Sequence, residues 1–173
     1  MANKNILHTK DYTPDDDILI GLVSEEPPYK AAYILSKLLA KNFLVNTHYT
    51  SEKFPKTSEE ELPQKSINFE FFRWKSESKG KTIFLIPNRQ NIEISDQQKN
   101  THSLYDNQDI VSTKAFVLVP AWKSIDYILR FDGFEHEAIE EIADKIKKSK
   151  LFRMVVVNQT KNIENAVTLY FFD

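Results

Sequence analysis

Asp126 and Tyr127 put a carboxylate beside a phenol at the start of an apolar run. Acid–base work by paired carboxylates needs two titratable groups at a controlled separation. The turn before them, Val119-Pro120-Ala121-Trp122-Lys123-Ser124, holds no second acid. An enzyme site near Asp126 therefore requires a distant acid or histidine. Strand alternation sets Asp126, Ile128 and Arg130 on one face and Ile125, Tyr127, Leu129 and Phe131 on the other, the second set reading as core. The Asp126 carboxylate is expected to accept backbone N–H bonds across the turn headed by Pro120, or to pair with a neighbouring strand's Arg or Lys. Asp126 and Arg130 are on that basis candidate binding residues.

A second constellation is Ile67-Asn68-Phe69-Glu70-Phe71-Phe72-Arg73-Trp74-Lys75. Alternation places Ile67, Phe69 and Phe71 on one face, with Phe72 and Trp74 on the other beside Glu70. Arg73, Lys75, Lys79 and Lys81 surround the tip of the hairpin that follows. Aromatics interleaved with basic residues on a strand can stack the bases of single-stranded nucleic acid. Phe72, Arg73 and Trp74 are the candidate binding residues here. Glu70 and a net charge of -2 oppose that chemistry. Lys145, Lys147, Lys148, Lys150 and Arg153 form another basic cluster, which reads as a solvated helix end.

Other chemistries lack their residues. With no cysteine there is no disulfide, thiolate metal site or cysteine nucleophile. Asp15-Asp16-Asp17 lacks the alternating ligands and closing glutamate of a calcium loop. His8, His48, His102 and His136 have no metal-ligand spacing, and no serine sits in a nucleophile elbow. Three glycines, Gly21, Gly80 and Gly133, build no phosphate-cradling loop. No metal or cofactor is expected.

The elements that must position these residues fit one domain of 173 residues, 41% hydrophobic and 28% charged. Residues 1–14 read as a flexible arm with no apolar core of signal-peptide length. No run approaches the roughly 20 apolar residues that span a bilayer, so the cytoplasm is the expected location. The run at 18–23 is a buried strand. Ser24 is the expected N-cap of a helix whose buried stripe is Ala31, Ile34, Leu35, Leu38 and Leu39. A strand begins at Phe43, and 50–65 is a surface loop. Residues 67–75 and 81–87 form a hairpin around a five-residue turn containing Gly80. The polar stretch 88–114 reads as a long loop or an irregular cover.

Further strands are expected at 115–119, 125–131, 151–157 and 167–172. After Gly133 comes a helix whose buried face is Ala138, Ile139, Ile142, Ala143 and Ile146, acidic toward its start and basic toward its end. The fold class is α+β, a mostly antiparallel sheet with two amphipathic helices packed on one face. Several strands are apolar on both sides, so the second face needs a cover: the 88–114 segment, a second copy of the chain, or another protein.

Val119-Pro120-Ala121-Trp122-Lys123-Ser124-Ile125-Asp126-Tyr127 resembles the signature of the IPExxxVDY family of small bacterial proteins. Val119 stands for isoleucine, Pro120 matches, and Ile125-Asp126-Tyr127 matches VDY with one conservative change. Ala121 replaces the signature glutamate. The likeness runs over most of the chain, with only these nine residues specific. It implies no activity or cofactor, and alanine at 121 speaks against catalysis by a Glu–Asp pair. The expected function is binding, as a homodimer or a protein-interaction module. The alternatives are a single-stranded nucleic-acid accessory protein using the hairpin 67–81, or an enzyme with a site near Asp126.

Overall fold

A computed structural model describes residues 17–50, 67–96, 110–163 and 169. The apolar run forms strand β1, Ile18–Val23. Helix α1 spans Pro28–Leu39. Proline at its first turn needs no N–H partner, and it holds the preceding residue extended. The cap is therefore Pro27 rather than Ser24. Ser24 Oγ instead accepts from the Glu26 N–H at 3.2 Å, a local turn ahead of the helix.

Strands β2 (Leu44–Thr50), β3 (Ile67–Ser76) and β4 (Lys81–Pro87) follow. The turn between β3 and β4 carries Gly80 at φ 59°. Beyond lie β5 (Arg89–Asp96), β6 (Ile110–Val117), β7 (Tyr127–Asp132), helix α2 (His136–Ser149) and β8 (Met154–Gln159). The expected 88–114 loop is thus corrected: its two ends form an antiparallel ribbon, in register from Arg89 opposite Val117 to Asp96 opposite Ile110. A two-stranded ribbon is held by backbone pairing, which apolar periodicity does not report. Helix α2 starts three residues after Gly133. The expected strand at 151–157 begins only at Met154 because Lys150 takes a left-handed conformation at φ 55°. The arm, most of the 50–65 loop and most of the strand expected at 167–172 lie outside the described residues.

Six strands make one sheet in the order β2-β3-β4-β7-β1-β8, with every adjacent pair antiparallel. Both helical connections therefore join strands that run parallel to each other. Helix α2 leaves β7 and returns as β8 on the far side of β1, a split βαβ arrangement. Helix α1 carries the chain from β1 to the far edge at β2. The architecture is α+β. Both helices pack on one face, where Ala31, Leu35, Leu39, Ile139, Ala143 and Ile146 meet Ile20, Leu22, Ile83, Leu85, Leu129 and Phe131.

The second face carries a core of its own. Leu19, Phe71, Phe84, Ile86 and Ile128 on the sheet pack with Leu118, Val119, Trp122, Ile125, Ile163 and Leu169. The cover thus comes from this chain, through residues 118–125 with Ile163 and Leu169. Of the three covers considered from the sequence, none names this one. Ile125 is also corrected: it lies with the second core, apart from Tyr127, Leu129 and Phe131, because strand parity starts only at Tyr127.

Candidate functional site

Pro120 opens a short 3-10 turn over Pro120–Trp122. Three i to i+3 backbone bonds wind it: Trp122 to Val119 (2.9 Å), Lys123 to Pro120 (3.2 Å) and Ile125 to Trp122 (2.8 Å). The turn drives Trp122 and Ile125 down onto β1 at Gly21. A Cβ at Gly21 would stand 3.0 Å from the Trp122 ring and 3.1 Å from Ile125. Close approach of this segment is what glycine permits there.

Asn88 fastens the turn. It is fully buried, and its side-chain amide donates to the carbonyls of Trp122 (2.8 Å) and Ile125 (3.0 Å). Its Oδ1 accepts from the Val119 N–H at 2.8 Å. Its backbone donates to the Asp126 carbonyl and accepts from Leu118, both at 2.8 Å. Arg89 adds a guanidinium bond to the Lys123 carbonyl. The bracing role expected of Asp126 therefore belongs to Asn88. Nothing local in the sequence marks it, since its partners lie more than thirty residues on.

Asp126 and Tyr127 reach the other way, to the connection between β1 and α1. Asp126 Oδ2 accepts from the Ser24 N–H at 3.0 Å, and its own N–H donates to the Leu22 carbonyl at 3.0 Å. The Tyr127 hydroxyl donates to the Glu26 carbonyl. Burial, then the nearby charges of Asp126 and Glu26, push the phenol pKa up to about 12. Glu26, in the turn ahead of α1, pairs through its carboxylate with Lys30 at 2.8 Å. The two polar groups most suggestive of catalysis thus hold a loop in place.

Arg130 is buried at 2% exposure on the second face. Its guanidinium stacks on Phe84 with Cζ 3.9 Å from the ring centroid, donates to the Leu169 carbonyl at 2.6 Å and pairs with Asp132 at 2.9 Å. Asp126 and Arg130 therefore do not converge on a ligand. A buried arginine needs such partners to offset desolvation, and they come from three separate parts of the chain.

Among the hairpin residues, Phe72 fills the helix-side core and Trp74 packs against it. Arg73 lies on the opposite face, opposite Leu44 of β2 and Phe84 of β4. Trp74 and Phe134 stand with ring centroids 6.4 Å apart. Gly133, at φ 73°, brings the β7–α2 turn against the hairpin: a Cβ there would lie 2.5 Å from the Gly80 carbonyl. Lys41 Nζ sits 3.7 Å from the Trp74 centroid and Lys81 Nζ 4.9 Å from that of Phe134. Burial, then repulsion from Lys79, Lys81 and Lys145, lowers the Lys41 pKa. This corner joins the end of α1, the hairpin and α2. Lys41, Lys145 and Phe134 were missed as its members because no periodicity connects them to Trp74.

The outer edge of β2 is paired with no other described strand. Leu44 and Val45 at its start are 61% and 62% exposed. Among the described residues, no cluster of three His, Asp or Glu side chains is placed to hold a metal, and no helix is long and apolar enough to cross a membrane. Comparisons with known protein families, curated proteins and solved structures find no match.

Proposed function

We propose that this chain works by binding, as a protein-interaction module whose first partner is a second copy of itself. The carrying observation is the outer edge of β2, unpaired among the described strands and apolar at its start. Leu44 lies opposite Arg73 and Val45 opposite Phe72, so the edge presents one exposed apolar side chain on each sheet face. Edge strands are ordinarily guarded by charge, proline or a bulge. Exposed Leu44 and Val45 on an edge with no described partner strand favour strand addition, with main-chain bonds supplying affinity. Pairing β2 with its own copy about a two-fold axis extends the sheet through one isologous contact.

The loop-holding contacts of Asp126 and Tyr127 support binding over catalysis. Neither Phe72 nor Trp74 is set out as a stacking platform, which weakens the single-stranded nucleic-acid reading. The nine-residue signature supports placing the chain with the IPExxxVDY proteins of bacteria, and the lack of cysteine supports a cytoplasmic location. Light scattering across a concentration series tests the proposal. A dimer is expected that Val45→Lys converts to monomer. A chain that is monomeric throughout and retains no protein partner in a pull-down overturns it.

A further inference from the structure

The interaction edge leaves the lysine corner unexplained. Two ammonium groups lie over its rings, Lys41 beyond α1 and Lys81 on the hairpin, and the charges of Lys79 in the hairpin turn and Lys145 on α2 act on Lys41. Those two rings touch each other. The glycine contact between Gly133 and Gly80 holds the hairpin against the start of α2, so the cations are brought together by the fold rather than by one flexible segment. The charged neighbours that lower the Lys41 pKa are Lys79, Lys81 and Lys145. Acids do lie nearby in sequence, Glu77 in the hairpin turn and Glu141 one helical turn before Lys145.

Like charges held together at a partly desolvated site repel, and a multivalent anion relieves that repulsion. We infer that this corner binds a small anion carrying more than one phosphate group, gripped by Lys41, Lys79, Lys81 and Lys145 above the Trp74–Phe134 floor. Lys41 and Lys81 already occupy positions over the rings, which favours contact with phosphate oxygens over stacking of a base. Lysine serves here as a point charge toward phosphate.

The test is calorimetric titration of the intact chain with inorganic tripolyphosphate at low ionic strength. One site per chain is expected, weakening as salt is added. Lys41→Gln and Lys81→Gln should each weaken binding about tenfold, the loss of one charge-assisted contact. Lys123→Gln, on the signature turn of the opposite sheet face, should leave it unchanged. Far-ultraviolet dichroism and urea midpoints confirm that each variant folds. Absence of binding overturns the inference, as does equal weakening by Lys123→Gln, which would mean diffuse attraction. Dimerisation is read by light scattering and anion binding by calorimetry, so the failure of one can be told apart from the failure of the other.

Discussion

Replacing Asn88 by alanine removes three side-chain hydrogen bonds at a fully buried position. Their losses are unequal. The Trp122 carbonyl keeps the Ile125 N–H at 2.8 Å, so that bond costs only its net worth, about 1 kcal/mol. The Val119 N–H and the Ile125 carbonyl instead lose their Asn88 partner inside the second core, at roughly 1–3 kcal/mol for each unsatisfied buried group. The expected destabilisation is about 4 kcal/mol. For a urea slope near 2 kcal/mol/M, the unfolding midpoint falls by about 2 M. Equilibrium urea unfolding by tryptophan fluorescence reads this directly, since Trp122 sits on the braced segment.

Asn88→Asp sharpens the test. The carboxylate still accepts from Val119 but faces the Trp122 and Ile125 carbonyls with charge, so its folded-state pKa rises above the usual value near 4. The stability contributed by its protonated form is present below that value and lost as pH rises through the folded pKa. The deficit relative to wild type should therefore narrow on acidification. A loss below about 1 kcal/mol for Asn88→Ala, no more than one ordinary hydrogen bond, would refute the bracing role.

Two further substitutions probe the contacts on either side of the signature. Gly21→Ala should destabilise by about 1–2 kcal/mol, because overpacking against Trp122 and Ile125 exceeds the entropic gain of replacing glycine. A thermal melt showing no change or a gain contradicts the close approach. Tyr127→Phe should cost about 1 kcal/mol at neutral pH through loss of the bond to Glu26. The folded phenol titrates at about 12 against an unfolded value near 10, so the wild-type advantage is full below the lower value and fades as pH rises through the upper. Paired unfolding curves measured from pH 8 upward check this, and a gap that stays constant through pH 12 speaks against it.

The elements most legible in the sequence are those whose order is local. The 18–23 run, the α1 stripe and the glycine-turned hairpin follow from apolar spacing and turn chemistry, and each appears within a few residues of its expected bounds. Parity also identified strands apolar on both faces. It could not name the cover, because Trp122 and Ile125 sit in a turn and Ile163 and Leu169 arrive from beyond β8. Arg130 reads as a candidate binding residue until Phe84, Asp132 and the Leu169 carbonyl are brought to it. Asn88 follows a strand-ending proline and resembles any loop polar residue. Lys41 needs the fold of three elements before it meets Trp74. What stayed hidden depends on long-range encounter, which no short window of sequence contains.

Strand β1 finds its hydrogen-bonding neighbours only in β7 and β8, and its exit loop is held by Asp126, 102 residues beyond Ser24. At synthesis rates of about 5–20 residues per second, this apolar segment waits roughly 5–20 s before its first sheet neighbour is made. Pairing so distant in sequence also slows folding, because the intervening loop must close before any contact rewards it. The nascent chain thus carries an unpaired, aggregation-prone strand until β7 is made. Any truncation ahead of β7 would leave that condition permanent.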